Sequence, residues 1–502
     1  MEDYKSPISP GFPRDSEASE GPLLGDFVDS PSERQFPFRR GLKTNPWKRR
    51  RILVGSCAVF SIASLIGLVL YTWSGTSLRA RPTDNGALSD IVEPPPIPIL
   101  ETLNRTRALL GPPAQKIRDN LRPDTKYITS WISAGWTNDV MTWVRTGNLI
   151  YLAILTQRVP ILGQFIPSHI GGDAGTIPFS EVFDIDLLSE KIGMPVLEWR
   201  DVKDPFSTEV EDIGCWSVWQ AVQAREPNPR LNNALQEEGL DISWTAGPSW
   251  LQKFPGYEHD PHAHFWDVAK LTFKNYRDEN LKTPQASQAH QAVLEPDEHL
   301  ACFDYLYYVC ATASFEYEQE ISPAWRFVVT HFRWTSRLQG IANEYLKRMM
   351  NVPESDSVPP YIAIHARRQD FGVYCNDRPK EECFTSFDVY TRRVAEIQQE
   401  VKERLGVEPH HVVMLSDEKD PAWWDTVRGM GWYSPDHDAE QTVDKYGKWY
   451  TLLIDAVIQS SGVGFLGTDH STMSVLAGRR VEDWQNGVSH MVKWGTPDAD
   501  AH

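Results

Sequence analysis

Cysteine is scarce in this chain, six in 502 residues, too few and too scattered for a disulfide-built mini-domain. No cysteine pair stands at a zinc spacing, no G-x-S-x-G offers a nucleophile elbow, and no segment repeats. A structural zinc module, an α/β-hydrolase and a solenoid are therefore poor readings. Basic charge is also in short supply: the net charge is -18. The first 51 residues hold ten Lys/Arg and eight Asp/Glu, which leaves about -20 for the rest. A surface that acidic is a poor partner for nucleic acid. A phosphate site is still open to it, because a local arginine pair and backbone amides hold a diphosphate inside an acidic protein.

Long apolar runs are rare too, and the one present is decisive. Ile52 to Trp73 is uncharged, and at about 1.5 Å per residue it spans a hydrocarbon core of about 30 Å. Arg34 to Arg51 carries eight basic residues and no acid, which keeps that side cytoplasmic. The run is too long for a signal-peptide core, and no cleavage site follows before Arg79. A buried core helix would not have these flanks. The expectation is a single-pass type II membrane protein with its large domain in the lumen. Cys57 then lies in the membrane, and Cys215, Cys302, Cys310, Cys375 and Cys383 lie in an oxidising compartment. Cys375 and Cys383 bracket a short charged loop and are expected to pair. Cys302 and Cys310 either pair or are buried apolar residues. Asn104-Arg105-Thr106 is the only glycosylation sequon and falls on the lumenal side.

Residues 1–51 read as a disordered tail rich in Ser, Pro and acid, 52–73 as the anchor, and 74–120, with Pro94-Pro95-Pro96, as a stem. A first folded domain is expected over 121–352. Lys126 to Ile132 reads as a strand, Ser133 to Thr137 as a turn, and Asn138 caps a helix to Leu155 before a strand at Val159 to Leu162. Residues 200–300, rich in Trp, Pro and acid, read as an insertion over that sheet. Residues 321–351 read as one long aromatic-rich helical stretch. A second domain over 353–495 alternates cleanly: strand Tyr361–His365, helix Thr385–Leu405, strand His411–Leu415, a helix after Pro421, a helix through Trp449 to Ser460, strand Val463–Leu466, and a helix from Ser471. That alternation predicts a doubly wound, Rossmann-like α/β sheet, in which ligands bind at the carboxyl ends of the strands.

Three such ends carry the candidate chemistry. His365-Ala366-Arg367-Arg368-Gln369-Asp370-Phe371 puts two arginines at a strand end, where they need anionic partners. A guanidinium fork suits a diphosphate; a structural pair with Asp370 is the alternative. Ser416-Asp417-Glu418 ends the second strand. Gly467-Thr468-Asp469-His470-Ser471-Thr472 ends the third and opens a helix, which is either an anion site or a plain N-cap.

Taken in order, HARRQDF, VVMLSDE and LLIDAVIQSSGVGFLGTDHSTMS resemble the three motifs of the GDP-fucose protein O-fucosyltransferase family. The first and third are similar to the branch acting on thrombospondin-type repeats. The similarity covers 361–480 and extends weakly to Gly135–Arg158. It implies a GT-B-like fold, two Rossmann-like domains facing a cleft, behind the single transmembrane helix. It further implies inverting transfer of fucose from GDP-fucose to a hydroxyl of a secretory-pathway protein or glycan, no required metal, and a Golgi or endoplasmic reticulum membrane location.

Residue by residue, it implies that Arg367 binds the β-phosphate and stabilises departing GDP, with His365 beside it and Arg368 supporting. Asp455 would accept hydrogen bonds from guanine, Ser471 and Thr472 would bind phosphate, and Asp417 would shape the nucleotide pocket. Gly135 and Asn138 would lie across the cleft near fucose and acceptor. Met473 stands where the family has an aromatic residue, and Gly135-Trp136-Thr137-Asn138-Asp139 departs from the family loop. Asp139 is the candidate base, against a role as a helix-dipole acid. The rivals are a transferase using another nucleotide sugar, a non-catalytic lumenal lectin or scaffold, and a metal-dependent enzyme using Asp184-Ile185-Asp186. That last motif sits inside an apolar pattern, Val182 to Leu188, which argues for a helix rather than a metal site.

Overall fold

Parallel strands need crossovers that run over the sheet faces, so parallel sheets are buried on both sides and read as unbroken apolar runs. Tyr361–Ala366 is such a strand, buried at all six positions. The structure is a computed structural model. It describes residues 105–501 apart from 131–138, 168–169, 224–227, 231–233, 254–261, 305, 308, 314–315, 317–320 and 376, and for 139–145 it describes the backbone only. The expected tail, the 52–73 span, Asn104, Gly135 and Asn138 lie outside the described residues. None of the described helices is long and apolar enough to cross a membrane.

In chain order the strands are β1 (Tyr127–Ser130), β2 (Val159–Leu162), β3 (Leu197–Glu198), β4 (Glu211–Ser217), β5 (Leu240–Ala246), β6 (Gln252–Lys253), β7 (His262–His264), β8 (Leu300–Phe303), β9 (Val309–Cys310), β10 (Tyr361–Ala366), β11 (His411–Ser416), β12 (Gly464–Thr468) and β13 (Val488–Val492). The first sheet is six-stranded, ordered β3-β2-β1-β8-β4-β5, with every pairing parallel. The helix Asp139–Thr156 makes the crossover from β1 to β2, as its apolar spacing predicts. A small sheet β6-β7-β9 lies beside it. The second sheet is β11-β10-β12-β13, again all parallel.

Several sequence expectations need correction. Residues 200–300 are not an insertion: they supply β4 and β5, two of the six strands of the first sheet, and lead directly into β8. Their polar positions hid this, since Asp241, Ser243 and Thr245 are all buried within β5. Residues 105–120, expected in the stem, are packed in the fold, with Leu109 and Ile117 in the first sheet's core. The 321–351 stretch is broken into the helix Pro323–Phe327, a short 3-10 turn and the helix Ser336–Met349, which Thr335 caps by accepting from the Leu338 N–H. The helix placed from Thr385 runs Phe387–Leu405, and its cap is Ser386. Asp184 is no metal ligand in this geometry: it caps the helix Ile185–Ile192 from the Leu187 N–H, and Asp186 pairs with Arg105.

Two disulfides are formed among the described residues. Cys375–Cys383 is the expected pair. Cys302 pairs with Cys215, 87 residues earlier, not with Cys310; Cys310 is a buried free thiol. The link staples β4 to β8, which lie side by side through Trp216 and Phe303.

Tryptophans join the two halves of the fold. The Trp334 indole donates to Ser460 Oγ (3.0 Å), Trp484 to the Thr330 carbonyl (3.0 Å) and Trp325 to Asp483 (2.6 Å). The Arg480 guanidinium, on the helix Thr472–Gln485, lies over Trp334 at 4.3 Å and over Phe183 at 5.6 Å. Desolvated cation–π contacts of this kind are worth about 2 kcal/mol each.

A crosslink that closes a longer loop restricts the unfolded chain more. Removing Cys215–Cys302 (Cys215→Ala with Cys302→Ala) should therefore cost about 4.5 kcal/mol, against about 2.5 kcal/mol for Cys375–Cys383, in guanidinium unfolding of the full chain. Equal losses, or the reverse order, would contradict the assignment of the long-range link as the main covalent staple.

Candidate active site

In the second sheet the chain leaves β10 for β11 on one side and then crosses to β12 on the other. A crevice therefore opens at the carboxyl ends of β10 and β12, where the strand order reverses. Registry pairs Ile364 with Leu466, so His365 and Arg367 come level with the segment that leaves β12. Gly467 lets the following helix approach: a Cβ there would stand 2.6 Å from both Ser474 Cβ and Met491 Sδ.

Hydroxyls tie the two strand ends together. Thr468 Oγ1 donates to the His365 carbonyl (2.9 Å) and accepts the Arg367 N–H (2.9 Å). Ser474 Oγ accepts the Thr468 N–H (3.0 Å) and lies 2.8 Å from His365 Nδ1. Burial, with the Arg367 charge adding to it, pushes the His365 pKa down to about 3. His365 is thus a neutral hydrogen-bonding group and far too weak a base to take an acceptor's proton near neutral pH.

Arg367 is partly exposed, with one terminal nitrogen 2.6 Å from Asp370 and the other 3.1 Å from Asp417. The Asp370 pairing weighed as an alternative is therefore present in this ligand-free chain. Two contacts leave three of the five guanidinium N–H groups for another anion. Asp417 also accepts the Arg368 N–H (2.8 Å) and the Gln369 N–H (3.3 Å), so one carboxylate from the end of β11 shapes the whole arginine turn. Arg368 faces inward, bonded to Glu418 (2.6 Å) and lying between Phe384 (4.8 Å) and Trp423 (5.3 Å). Its role is support.

Ser471 caps the helix Thr472–Gln485, accepting the Ser474 N–H, and aims the positive end of that helix at the same crevice. Thr472 is the first residue of the helix. The Trp494 indole braces the loop by donating to the Asp469 carbonyl (2.9 Å) and stacking on Phe371 (5.0 Å). The helix carrying Asp455, Trp449–Ser461, precedes β12, so its amino-terminal half lies at the crevice edge of the sheet. The loop after β2 reaches it: Lys448 pairs with Asp173 (2.6 Å), and the Trp449 indole donates to the Gly175 carbonyl (2.8 Å). Asp455 is 3.0 Å from His437 Nε2.

Across the crevice, Asp139 opens its helix; its side chain, like Gly135 and Asn138, is outside the described residues. Among the described residues one His/Asp cluster has metal-ligand spacing, Asp212, Asp241 and His290. It sits at the amino ends of β4 and β5, opposite the binding edge. Asp241 there is saturated by the Ser287 hydroxyl and the N–H groups of Gln288, Ala289 and His290, which marks a loop staple.

The structure places His365, Arg367, Arg368, Asp417, Ser471 and Thr472, all named from the sequence, together at this edge. Sequence reasoning passed over Thr468 and Ser474, although both lie inside the third motif, and over His437 and Trp494, which carry no local signal.

The chain is similar in fold to fucosyltransferases of known structure. Crystal structures of POFUT1 with GDP-fucose (14% identity, 73% of this chain and 98% of that one, TM-score 0.45) and with GDP (14%, 74% and 99%, 0.46) are matched. The fucosyltransferase NodZ from Bradyrhizobium is matched at 12% identity, 70% and 93% coverage and TM-score 0.34. No family model and no curated protein sequence matches. The reading of the site below rests on its own residues.

His437 tests the electrostatics of this edge. Burial opposes its charge, but the Asp455 carboxylate, helped by Asp436 and Asp438, outweighs that and raises its pKa above the ordinary value. A histidine that holds its proton more tightly when folded adds stability that is complete below about pH 6.5. That stability fades as the pH climbs through the folded-state pKa. The stability difference between wild type and His437→Gln should therefore shrink on going from pH 6 to pH 9 in urea unfolding. A difference that is flat or grows with pH would show that the pair is not an ion pair.

Proposed function

We propose that this chain is an inverting, metal-independent glycosyltransferase that moves fucose from GDP-fucose to a hydroxyl of a secretory-pathway protein or glycan. The observation that carries the reading is the convergence of the Arg367 guanidinium and the Ser471-capped helix on one crevice at the β10–β12 switch point. Charge appears on the leaving diphosphate as the glycosidic bond breaks. A guanidinium with unspent N–H groups and a helix amino terminus both stabilise that charge, which is the work a divalent ion does elsewhere. Asp417 and Thr468 hold Arg367 in place beforehand, so little reorganisation is needed as the charge develops.

The acceptor hydroxyl would attack from the side of the first sheet, where the helix Asp139–Thr156 begins. His365 is unsuited to be its base. The lumenal reading draws support from two disulfides and from the basic flank before residues 52–73. On it the protein is a type II resident of the Golgi or endoplasmic reticulum membrane.

Calorimetry on the full chain in detergent, without added divalent ion, should show GDP binding. Arg367→Ala should weaken it by about 10- to 100-fold, the range of one lost charge-assisted contact. A panel of radiolabelled sugar nucleotides should give hydrolysis and transfer from GDP-fucose ahead of the others. Binding that requires a metal, or that is unaffected by Arg367→Ala, refutes the proposal.

A further inference from the structure

At the edge of the crevice a buried chain of hydrogen bonds ends on a half-open carboxylate. Tyr345 Oη is 2.7 Å from Thr442 Oγ1, Thr442 Oγ1 is 3.0 Å from His437 Nδ1, and His437 Nε2 is 3.0 Å from Asp455 Oδ1. Thr442 is fully buried and Tyr345 nearly so, while the Asp455 side chain is 26% exposed. Asp455 Oδ2 has no hydrogen-bond partner among the described residues. The four residues come from the helices Ser336–Met349, Thr442–Tyr446 and Trp449–Ser461 and from the loop between β11 and β12. Arg348, paired with Glu440, covers the outer face of Tyr345.

The buried hydroxyls and the imidazole satisfy one another, which spares the cost of an unpaired buried polar group. The chain is satisfied at its inner end and open at its outer end. The outer end is an acceptor-only group whose orientation is fixed by His437. Of the common nucleobases, guanine presents adjacent ring N–H and exocyclic N–H groups to such a carboxylate, while adenine offers an acceptor where guanine has its ring N–H.

We infer that His437 is a positioning residue: by holding Asp455 Oδ1 it turns Oδ2 toward the nucleobase and sets the preference for a guanine diphosphate. This deepens the nucleotide-sugar reading of the same crevice and rests on it. Arg367 grips any diphosphate; the Tyr345–Thr442–His437–Asp455 chain selects the base. The two contributions are separable because different elements carry them.

The test is calorimetric titration of the full chain with GDP, IDP (which lacks the exocyclic amine), ADP and UDP. Wild type should prefer GDP to ADP by at least about tenfold, the scale of one hydrogen bond to a charged group. His437→Leu should bring that ratio at least fivefold closer to one and leave ADP affinity unchanged. His437→Gln, whose amide N–H still reaches Asp455, should recover most of the preference. Thr442→Val, which frees the ring but leaves it in place, should give an intermediate ratio, and it serves as the test if His437→Leu fails to fold. An unchanged GDP-to-ADP ratio in a folded His437→Leu or Thr442→Val protein overturns the inference, as does a Gln variant no better than Leu. If wild type binds all four diphosphates alike through Arg367, this inference falls and the nucleotide-site reading stands. If it binds none of them, both fall.

Discussion

The parallel pairing of β10 with β12 is the constraint on which the site depends. It places strand ends about a hundred residues apart within one hydroxyl's reach of each other. Thr468 then serves both strands, accepting from the backbone after β10 and donating to the carbonyl before it. Gly467 gives the next helix room to close in, so its capped end faces the arginine turn. On the proposed reading, neither strand end would hold a diphosphate alone. An isolated arginine turn would have no preset direction, and an isolated helix terminus has only its partial charge.

Charged groups in this protein fall into two kinds, and the difference separates scaffold from site. In the first sheet Arg158 is buried and donates to the carbonyls of Tyr127, Glu298 and Thr272. Lys203 is buried and donates to those of Glu209, Glu238 and Gly239. Asp241 takes one hydroxyl and three successive N–H groups. These side chains are fully committed to the backbone, which is how a buried charge is made tolerable. Arg367 and Asp455, by contrast, are part-exposed and keep hydrogen-bonding capacity beyond the carboxylates and histidine that hold them. Rigid placement with spare hydrogen-bonding capacity is what a binding group requires.

Much of the second sheet was legible from the residues because its signals are local. Buried runs such as Tyr361–Ala366, the Gly406 stop and the Ser471 cap are decided by neighbours within a turn or two. The first sheet was harder. β4 and β5 carry Asp212, Asp241, Ser243 and Thr245, which break the apolar pattern, and the polar groups of Asp212, Asp241 and Ser243 are satisfied by loops far along the chain. The tryptophan-rich 321–351 stretch read as one helix because its aromatic residues mimic helical spacing. They serve instead to bind the last two helices, with Trp325 on Asp483 of Thr472–Gln485 and Trp334 on Ser460 of Trp449–Ser461.

By itself the sequence determined the α/β alternation of the second sheet, the short-range Cys375–Cys383 pair and the arginines, hydroxyls and acids at the strand ends. Each of these follows from interactions between residues close in the chain. Only the tertiary structure decided that Cys302 joins Cys215, that 200–300 completes a sheet, that Arg368 faces inward while Arg367 stays open, and that His437 holds Asp455. Those outcomes depend on which distant segments become neighbours. Spacing along a chain carries no record of that, because the contacts form only after each sheet has chosen its strand order.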